Sequence, residues 1–445
     1  MIKTNKVYNE NCLDTMKRIP DNSIDSIVTD PPYGLSKEPD IVEVLTKWMN
    51  DEPYEHGSSG FMQKIWDSFV PGPEYWKECY RILKPGGHLV TFGGTRTFDL
   101  ISIALRISGF ERRDTLMWVF GSGFPKSHNI SKAIDKMYGL ERRVVGESNS
   151  GPLGGKKSGR IAGTGVFRGD NWISAEVNIL TAPESTDAIT WDGWGTALKP
   201  AYEPILLCRK SLEKGLTIAE NVMKWGTGGI NIDDCRIEGE PPHHDYGRTS
   251  GNKSFVGKSN IPYNTLDMGR FPATIIHDGS DEVLSKFPDS KGQQGDLKGH
   301  NKEIKSPNGI YGKQPPRYDA IKREDISTSA ARFFYCAKTT KTDRNEGVDE
   351  NNTHPTVKPT SLMVWLCRLI TPKGGIIYDP FAGSGSTGKA SILEGFEFIG
   401  SELDESNVKV SNERIQYALE NIDKLQHYTT KVDDILPKIT ENPYF

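Results

Sequence analysis

Hydrophobic residues form short continuous runs and segments of helical spacing at both ends of the chain. Apolar runs of about four to eight residues between turn signals are typical of buried strands, and apolar residues three and four apart are typical of helices. The predicted strands are Ile24–Thr29, His88–Phe92, Ile205–Cys208, Gly375–Tyr378 and Phe396–Gly400. The predicted helices are Tyr75–Leu83, Leu362–Ile370, Ser386–Leu393 and Val408–Leu419. The LKPGG run after the first helix is expected to end that helix, because Pro85 and two glycines cannot continue it.

The two ends of the chain each have the pattern of one half of a doubly wound α/β sheet. Between them, clusters of Gly, Ser, Asn and Lys such as SGPLGGKKSG predict loops rather than a second large core. We therefore expect residues 1–120 and 353–422 to form one discontinuous α/β domain. Residues 121–352 are expected to form a large irregular insertion in which one strand returns near 205–208, and residues 423–445 a peripheral polar tail.

Composition narrows the class of protein. The chain has 445 residues, enough for two to three domains, and 36% of them are hydrophobic. It lacks an apolar run long enough for a transmembrane helix and an apolar segment near its start that would mark a secretory signal. Its 6 cysteines lie far apart without a CxxC pair, which argues against disulfides and a zinc site. We expect a reduced, cytoplasmic protein without membrane contact or bound metal.

Charge is unevenly distributed. The net charge of −4 gives no overall sign of a nucleic-acid partner, yet Lys291–Arg344 has 12 basic against 6 acidic residues and Phe110–Asp170 has 11 against 6. Such tracts are either phosphate-facing surfaces or solvated loops. The basic residues that could contact DNA are Lys156, Lys157, Arg160 and Arg168. Four aromatic residues in and around the WDGWGTALKPAYEP segment either pack in the core, which we expect, or contact DNA: Trp191, Trp194, Tyr202 and Trp225.

A glycine-rich turn follows the predicted strand that ends at Tyr378. The sequence DPFAGSGSTGK places Gly383 and Gly385 between this strand and a helix, where a backbone without side chains lets a ligand approach the helix N-terminus. The next strand ends at Glu402, 23 residues after Asp379. An acidic residue there is suited to the hydroxyls of a nucleoside ribose.

The same run also matches a nucleotide-hydrolase loop. Gly383–Lys389, GSGSTGK, has the GxxxxGK spacing of a P-loop. The following residue is Ala390, where a P-loop needs a hydroxyl for magnesium, and the preceding DPF would have no role. A P-loop ATPase is therefore the disfavoured alternative.

A second turn, Asp30-Pro31-Pro32-Tyr33-Gly34, follows the strand Ile24–Thr29. Two prolines fix the backbone and remove two N–H donors, so the turn is rigid and offers acceptors. Asp30 and the Pro31 carbonyl could accept the two hydrogens of an exocyclic amino group while Tyr33 stacks on the attached ring. A proline-rich turn without chemistry is the alternative interpretation.

Together these motifs resemble the amino-methyltransferases that act on DNA bases with S-adenosylmethionine. DPPYG resembles the family's catalytic motif IV, DPFAGSGSTG its cofactor motif I, and THPTVKP its motif X. The catalytic motif precedes the cofactor motif, which is the permuted order of the β group. The segment CLDTMKRIPDNSIDSIVTDPPYG resembles the lead-in to the catalytic strand, with Asn11 where the family usually has an acidic residue.

The resemblance implies a Rossmann-like methyltransferase sheet, circularly permuted, with an inserted target-recognition domain. It implies that the catalytic residues are Asp30, Pro31, Pro32 and Tyr33. It further implies that S-adenosylmethionine is bound by Asn11, Cys12, His354, Thr356, Lys358, Asp379, Phe381, Gly383, Ser384, Gly385 and Glu402.

The implied partner is double-stranded DNA, with a homodimer and a cognate restriction endonuclease, or a phage role, as further possibilities. Asp at the head of the catalytic motif is commoner in the adenine branch, so the resemblance favours the N6 position of adenine, with N4 of cytosine as the alternative. Methylation of the cytosine ring carbon needs a Cys that typically follows Pro, and the sequence has no Pro-Cys dipeptide.

Overall fold

The architecture is given by a computed structural model. It describes residues 2–34, 36–57, 67–121, 123, 127–148, 165–168, 171–174, 178–237, 270–289, 304–305, 313–314, 329–337, 342–349, 351–354 and 356–429. The proposed phosphate contacts Lys156, Lys157 and Arg160, the side chain of Arg168, most of the basic tract Lys291–Arg344 and the tail beyond 429 lie outside the described residues.

Parallel strands dominate the fold. The strands are β1 Lys6–Asn9, β2 Ile24–Thr29, β3 Leu83–Phe92, β4 Glu111–Val119, β5 Val144–Ser148, β6 Gly165–Arg168, β7 Asn171–Ser174, β8 Asn178–Thr181, β9 Tyr202–Arg209, β10 Ile275–His277, β11 Ile304–Lys305, β12 Lys313–Gln314, β13 Tyr335–Cys336, β14 Ile376–Asp379 and β15 Glu397–Glu402. Nine of these described strands form one sheet in the order β1-β15-β14-β2-β3-β9-β4-β10-β13. The pairs from β1 to β3 are all parallel, and β9 is antiparallel to β3. This is the mixed, mainly parallel α/β sheet that the sequence predicts.

Helices connect and cover these strands. They are α1 Cys12–Lys17, α2 Ile41–Met49, α3 Pro73–Ile82, α4 Phe98–Ile107, α5 Ile130–Met137, α6 Thr186–Thr190, α7 Ile218–Trp225, α8 Asp281–Leu284, α9 Thr360–Ile370, α10 Ser386–Leu393 and α11 Glu405–Glu420. Short 3₁₀ turns are Asp233–Cys235, Ala330–Phe333 and Ile422–Tyr428. The predicted helices therefore all form, with ends that shift by up to three residues where caps such as Asp404 set them.

The core lies against β2, whose six residues are all buried. Ile24 and Ile27 pack with Trp76 of α3 in the main apolar cluster, while the Ser26 hydroxyl is 2.7 Å from the Thr371 hydroxyl at the end of α9. A strand buried along its whole length has both faces covered, as expected in a parallel sheet. The end of β2 is therefore held rigidly, which matters because the DPPYG turn begins there.

The LKPGG run follows helix α3, which ends at Ile82, one residue before the predicted end. Strand β3 begins at Leu83, earlier than the predicted His88, and includes the run, and its pairing with β2 changes register between Ile24 and Ser26. The Pro85 carbonyl accepts hydrogen bonds from Asn221 Nδ2 at 2.8 Å and Thr227 Oγ1 at 2.7 Å. These distant partners satisfy the irregular backbone and let the strand start early.

The chain divides into two compact units, Met1–Val119 with Glu203–Phe445, and Phe120–Tyr202. This boundary differs from the expected insertion of 121–352. The reason is that β9, β10 and β13, all within that range, join the main sheet. The second unit contains α5, α6 and two antiparallel strand pairs, and its buried Asp135 accepts hydrogen bonds from Arg142 and Ser185.

Two aromatic residues of the second unit are not buried in the core as we expected. Trp191 and Trp194 are 43% and 59% exposed, and their rings pack edge to face on each other at 5.0 Å. The turn they occupy is too short to bury both rings.

Across the part of the chain that the structure describes, no helix is long and apolar enough to cross a membrane.

Candidate active site

Two neighbouring strands carry the two motifs to one edge of the sheet. Strands β2 and β14 are parallel, so Asp30 after β2 and Asp379 at the end of β14 lie at the same edge. The Thr29 hydroxyl donates to the Asp379 carboxylate at 2.6 Å and links the two strand ends directly. The sheet therefore brings together motifs that are far apart in the sequence.

The DPPYG turn is fixed by its backbone contacts. Asp67 Oδ1 accepts the Tyr33 N–H at 2.9 Å and the Gly34 N–H at 3.2 Å, and the Thr97 hydroxyl donates to the Tyr33 carbonyl at 2.6 Å. Gly34 has φ +63°, and a Cβ there would lie 3.1 Å from the Phe69 backbone. The turn therefore needs glycine at its end and holds the Tyr33 ring in place.

Four polar side chains meet at this turn. Asp30 accepts from the Tyr33 hydroxyl at 2.8 Å and contacts Lys358 Nζ at 2.7 Å through its other oxygen. Glu203, at the start of β9, lies 3.2 Å from both the Tyr33 hydroxyl and Lys358 Nζ. Lys358 also lies 4.9 Å from the centre of the Phe92 ring. We call Asp30, Tyr33, Glu203 and Lys358 the DPPY cluster.

The charges of the DPPY cluster are set by mutual contact. Burial opposes the charge of Lys358, which is 5% exposed, but Asp30 and Glu203 raise its pKa above the ordinary value. Burial, then Asp30 and Glu203, raise the pKa of Tyr33 well above its usual range, so it stays a phenol. Burial raises the pKa of Glu203, and Lys358 opposes that effect. With both carboxyls ionised the cluster has a net charge of −1, which favours a ligand with N–H donors or developing positive charge.

Asp379 holds the glycine-rich turn rather than facing an open site. Its carboxylate accepts from the Thr29 hydroxyl, from the Phe381 N–H at 3.0 Å and from the Thr387 hydroxyl at 2.6 Å. Burial raises its pKa to about 6, against the opposing effect of these hydrogen bonds. It therefore joins β2, the turn and α10 into one rigid unit.

The glycines form a narrow cradle at this turn. Gly383 has φ +50° and Gly385 φ +77°, conformations that L side chains rarely adopt. A Cβ on Gly383 would lie 3.1 Å from His354 Nε2, and a Cβ on Gly385 would lie 2.8 Å from the Ser411 backbone. Glu402, at the end of β15, accepts the Gly383 N–H at 2.9 Å. These contacts leave no room for a side chain at Gly383 or Gly385.

His354 and Thr356 bring THPTVKP to the cradle. Burial lowers the pKa of His354 to about 4, with Asp30 opposing, so its ring is neutral near pH 7. The Thr356 N–H lies 3.4 Å from His354 Nδ1, and Thr356 is exposed. The ammonium of Lys358, a residue expected to bind the cofactor, lies in the DPPY cluster, and the Lys358 carbonyl accepts from the Ser386 hydroxyl of α10 at 3.0 Å.

The remaining expected cofactor residues lie around the same edge. The Asn11 side chain caps α1 by accepting from the Leu13 N–H at 2.9 Å, and burial raises the pKa of Cys12 to about 12, so this thiol is neutral. The Phe381 ring lies 6.0 Å from Tyr75 and 6.3 Å from Trp76. The Ser384 carbonyl accepts from Arg414 at 2.9 Å.

The lysine of the GxxxxGK run cannot serve as a P-loop lysine in this arrangement. Lys389 is fully buried and pairs with Asp343 at 3.0 Å and Glu346 at 2.6 Å. Its positive charge is therefore already paired with two carboxylates inside the protein and is not available to a phosphate. In the described residues no group of three or more His, Cys, Asp or Glu side chains could hold a metal ion.

Sequence reasoning missed Glu203 and Asp343. Glu203 precedes the apolar run ILLC, where a charged residue at a strand start is a weak signal. Asp343 accepts from the Thr360 hydroxyl and contacts Lys389 and Arg414, an arrangement with no local pattern. A lysine next to a glycine loop and a buried arginine in α11 indicate a buried counter-ion only once the fold is known.

The chain is similar in sequence to several proteins that are named as methyltransferases. The chain is 25% identical over 243 residues to the Type II methyltransferase M.HindIII of Haemophilus influenzae, covering 51% of this chain and 64% of that protein. It is 34% identical over 84 residues to the DNA adenine methyltransferase YhdJ of Escherichia coli, covering 19% of this chain and 26% of that one. The matches thus span less than two thirds of these relatives.

Among solved structures, that of the M1.HpyAVI–SAM complex aligns over 92% of this chain and 98% of its own, with a TM-score of 0.37 and 14% identity. A DNA methylase family model matches residues 24–413. This match begins with β2, includes the DPPYG turn and the glycine cradle, and ends within α11. The chain therefore belongs to the N6/N4 DNA methylase family.

Proposed function

We propose that this protein transfers a methyl group from S-adenosylmethionine to the N6 amino group of adenine in double-stranded DNA. The observation that carries the proposal is the Thr29–Asp379 hydrogen bond, which joins an amine-accepting turn to a glycine cradle at one sheet edge. A base and a cofactor bound at these two features would be neighbours. Because chemistry of this kind needs positioning more than covalent participation, such a rigid edge is what the reaction requires.

The cradle fits a nucleoside cofactor. Gly383 and Gly385 have positive φ just before α10, and we assign the ribose hydroxyls to the carboxylate of Glu402, at the end of the next strand. Phe381 and the neutral His354 would line the same ligand. S-adenosylmethionine would supply an electrophilic methyl group on a sulfonium.

The DPPY cluster suits an aromatic amine. The nitrogen of such an amine is a poor nucleophile because its lone pair is delocalised into the ring. Asp30 and the Pro31 carbonyl would accept its two hydrogens and so favour a pyramidal nitrogen, and the cluster's negative charge would stabilise the positive charge that develops on it. The base must leave the duplex to reach the turn, at a cost of a few kcal/mol. Stacking on Tyr33 would return about 1–3 kcal/mol.

The choice of base rests on Asp30. Asp at the head of this turn favours adenine by resemblance, and one relative is named a DNA adenine methyltransferase. Methylation of the cytosine N4 amino group is the alternative, since both bases present an amine to the same turn. The two differ in product, which the closing experiment of the Discussion identifies.

Further parts of the proposal concern context. Because β2 precedes β14 in the chain, we place the protein in the circularly permuted group, with the unit Phe120–Tyr202 as part of its target-recognition region. We propose a cytoplasmic location, where its DNA substrate lies. The Type II relatives suggest a restriction-modification role with a cognate endonuclease, and a homodimer is a further possibility.

The roles of the two motifs are tested with Asp30→Ala. We expect loss of methyl transfer to unmethylated genomic DNA, measured with labelled S-adenosylmethionine, because the amine loses its charged acceptor. Cofactor affinity, measured by titration calorimetry, should change little because Asp30 lies outside the cradle. Asp99→Ala, an exposed change in α4, is the control and should retain activity. Equal loss of cofactor binding and transfer in Asp30→Ala would contradict this division of roles.

A further inference from the structure

The N–H and O–H donors of the DPPY cluster already have acceptors within the cluster. The Lys358 ammonium has three N–H donors and lies near three acceptors: Asp30 at 2.7 Å, Glu203 at 3.2 Å and the Tyr33 oxygen at 3.2 Å. The Tyr33 hydroxyl has one hydrogen and two carboxylates within reach, Asp30 at 2.8 Å and Glu203 at 3.2 Å. Both donors therefore have a choice between Asp30 and Glu203.

These contacts weaken Asp30 as a hydrogen-bond acceptor for a substrate amine. Each of its carboxylate oxygens already has a partner, Tyr33 on one and Lys358 on the other. An amino group that binds there competes with a buried ammonium for the same negative charge. Without a second acceptor, release of Lys358 from Asp30 would leave an unpaired buried cation, which is costly.

Glu203 is rigidly placed to be that second acceptor. It stands at the start of β9, whose next residues pair antiparallel with the end of β3, with Ile205 opposite Phe92. The Gly93 N–H donates to the Pro204 carbonyl at 3.0 Å and fixes the backbone beside Glu203. The Phe92 ring lies next to Lys358 and confines its ammonium between the two carboxylates.

We propose that Glu203 is a positioning residue that takes over Lys358 when the target amine binds, so that Asp30 is a full-strength acceptor for that amine. The inference rests on the proposed methyl transfer and adds a residue to it. Glu203 does not touch the base or the cofactor in this account. It acts through Lys358 by dividing that residue's positive charge between two carboxylates.

The first test is Glu203→Gln, which keeps size and a hydrogen-bond acceptor but removes the charge. We expect kcat for methylation of unmethylated genomic DNA to fall about 10- to 100-fold, the range of coupling between contacting charged groups. KM for S-adenosylmethionine should stay within about twofold, because coupling of this kind is not expected to reach the cradle. The matched control is Glu111→Gln, which removes a carboxylate 2.7 Å from Arg209 at the other end of β9 and should keep full activity.

The second test is the double variant with Lys358→Met. If Glu203 acts by drawing Lys358 away from Asp30, then Glu203→Gln should change kcat less than about twofold once Lys358 is already replaced. An equal loss of kcat from Glu203→Gln in both backgrounds would overturn the proposal, because it would mean that Glu203 acts independently of Lys358. Unchanged kcat in Glu203→Gln alone would also overturn it.

Failure of this inference is distinct from failure of the proposed function. An inactive wild-type protein would refute methyl transfer itself, whereas an active wild type with additive variants refutes only the role of Glu203. Thermal unfolding of each variant separates a folding defect from a catalytic one. A Tm lowered together with raised KM for the cofactor would indicate a structural role and would count against the proposal.

Discussion

Replacement of Lys389 by Met separates the two interpretations of the glycine loop. In the structure Lys389 is a buried structural cation that binds Asp343 and Glu346, and it lies 4.8 Å from the centre of the Tyr428 ring. Burial disfavours the charge of Asp343, yet Lys389 and Arg414 hold its pKa below the ordinary value. A P-loop lysine would instead contribute to nucleotide binding and little to the fold.

The expected loss of stability in Lys389→Met follows from the two carboxylates that lose their partner. Removing one partner of a buried ion pair typically costs about 3–5 kcal/mol, because the remaining charge stays desolvated. Asp343 would keep Arg414 at 3.6 Å and the Thr360 hydroxyl, which places the cost towards the lower end of that range. At about 2–4 °C per kcal/mol for a large domain, Tm should fall by roughly 6 °C or more.

Thermal unfolding followed by circular dichroism measures this change. Lys409→Met is the matched control, because Lys409 lies on the exposed surface of α11, where it pairs with Glu413 at 3.9 Å. We expect a shift of about 1 °C or less for the control, as for most exposed pairs. An unchanged Tm in Lys389→Met, with loss of magnesium-dependent ATP binding that the wild type shows, would refute the reasoning.

Two further predictions concern the cradle and pH. Gly385→Ala should lower both Tm and affinity for S-adenosylmethionine, since its Cβ would clash with the Ser411 backbone; Gly374→Ala has a similar φ of +72° in open space and should show only a small loss of Tm. Burial and Arg209 lower the pKa of His88 to about 4, so its neutral form stabilises the fold above the unfolded-state pKa near 6.5, and that stability is lost as pH falls towards 4. Relative to His88→Gln, the wild type should lose up to about 3 kcal/mol over this range in urea unfolding, and parallel curves would show that His88 is not buried neutral.

Much of the fold and the motif chemistry could be predicted from local pattern. The strand Ile24–Thr29 is continuous and apolar enough to be recognised, and the turns after it and after the strand that ends near Tyr378 were both recognised as candidate sites. The parallel pairing of these two strands then brings Asp30 and Asp379 to the same edge of the sheet. The glycines of the cradle were recognisable because only glycine tolerates positive φ next to close backbone contacts.

The parts that escaped prediction depend on long-range pairing. Glu203 reaches the DPPYG turn because β9 pairs antiparallel with β3, and the local sequence of β9 does not encode this pairing. The sequence also did not show that Lys358 would turn its ammonium towards Asp30 while its backbone contacts α10. The boundary near 352 differs from the observed unit for the same reason, since short strands β10 and β13 carry too few residues to be recognised before they join the sheet.

The central claim is tested most directly by identifying the methylated nucleoside. Purified protein is incubated with unmethylated genomic DNA and labelled S-adenosylmethionine, and the DNA is digested to nucleosides and analysed by mass spectrometry. The account predicts label in N6-methyldeoxyadenosine, absent with Asp30→Ala. Label in N4-methyldeoxycytidine would keep the mechanism and change the base, whereas unlabelled DNA from a folded, cofactor-binding protein would contradict the account.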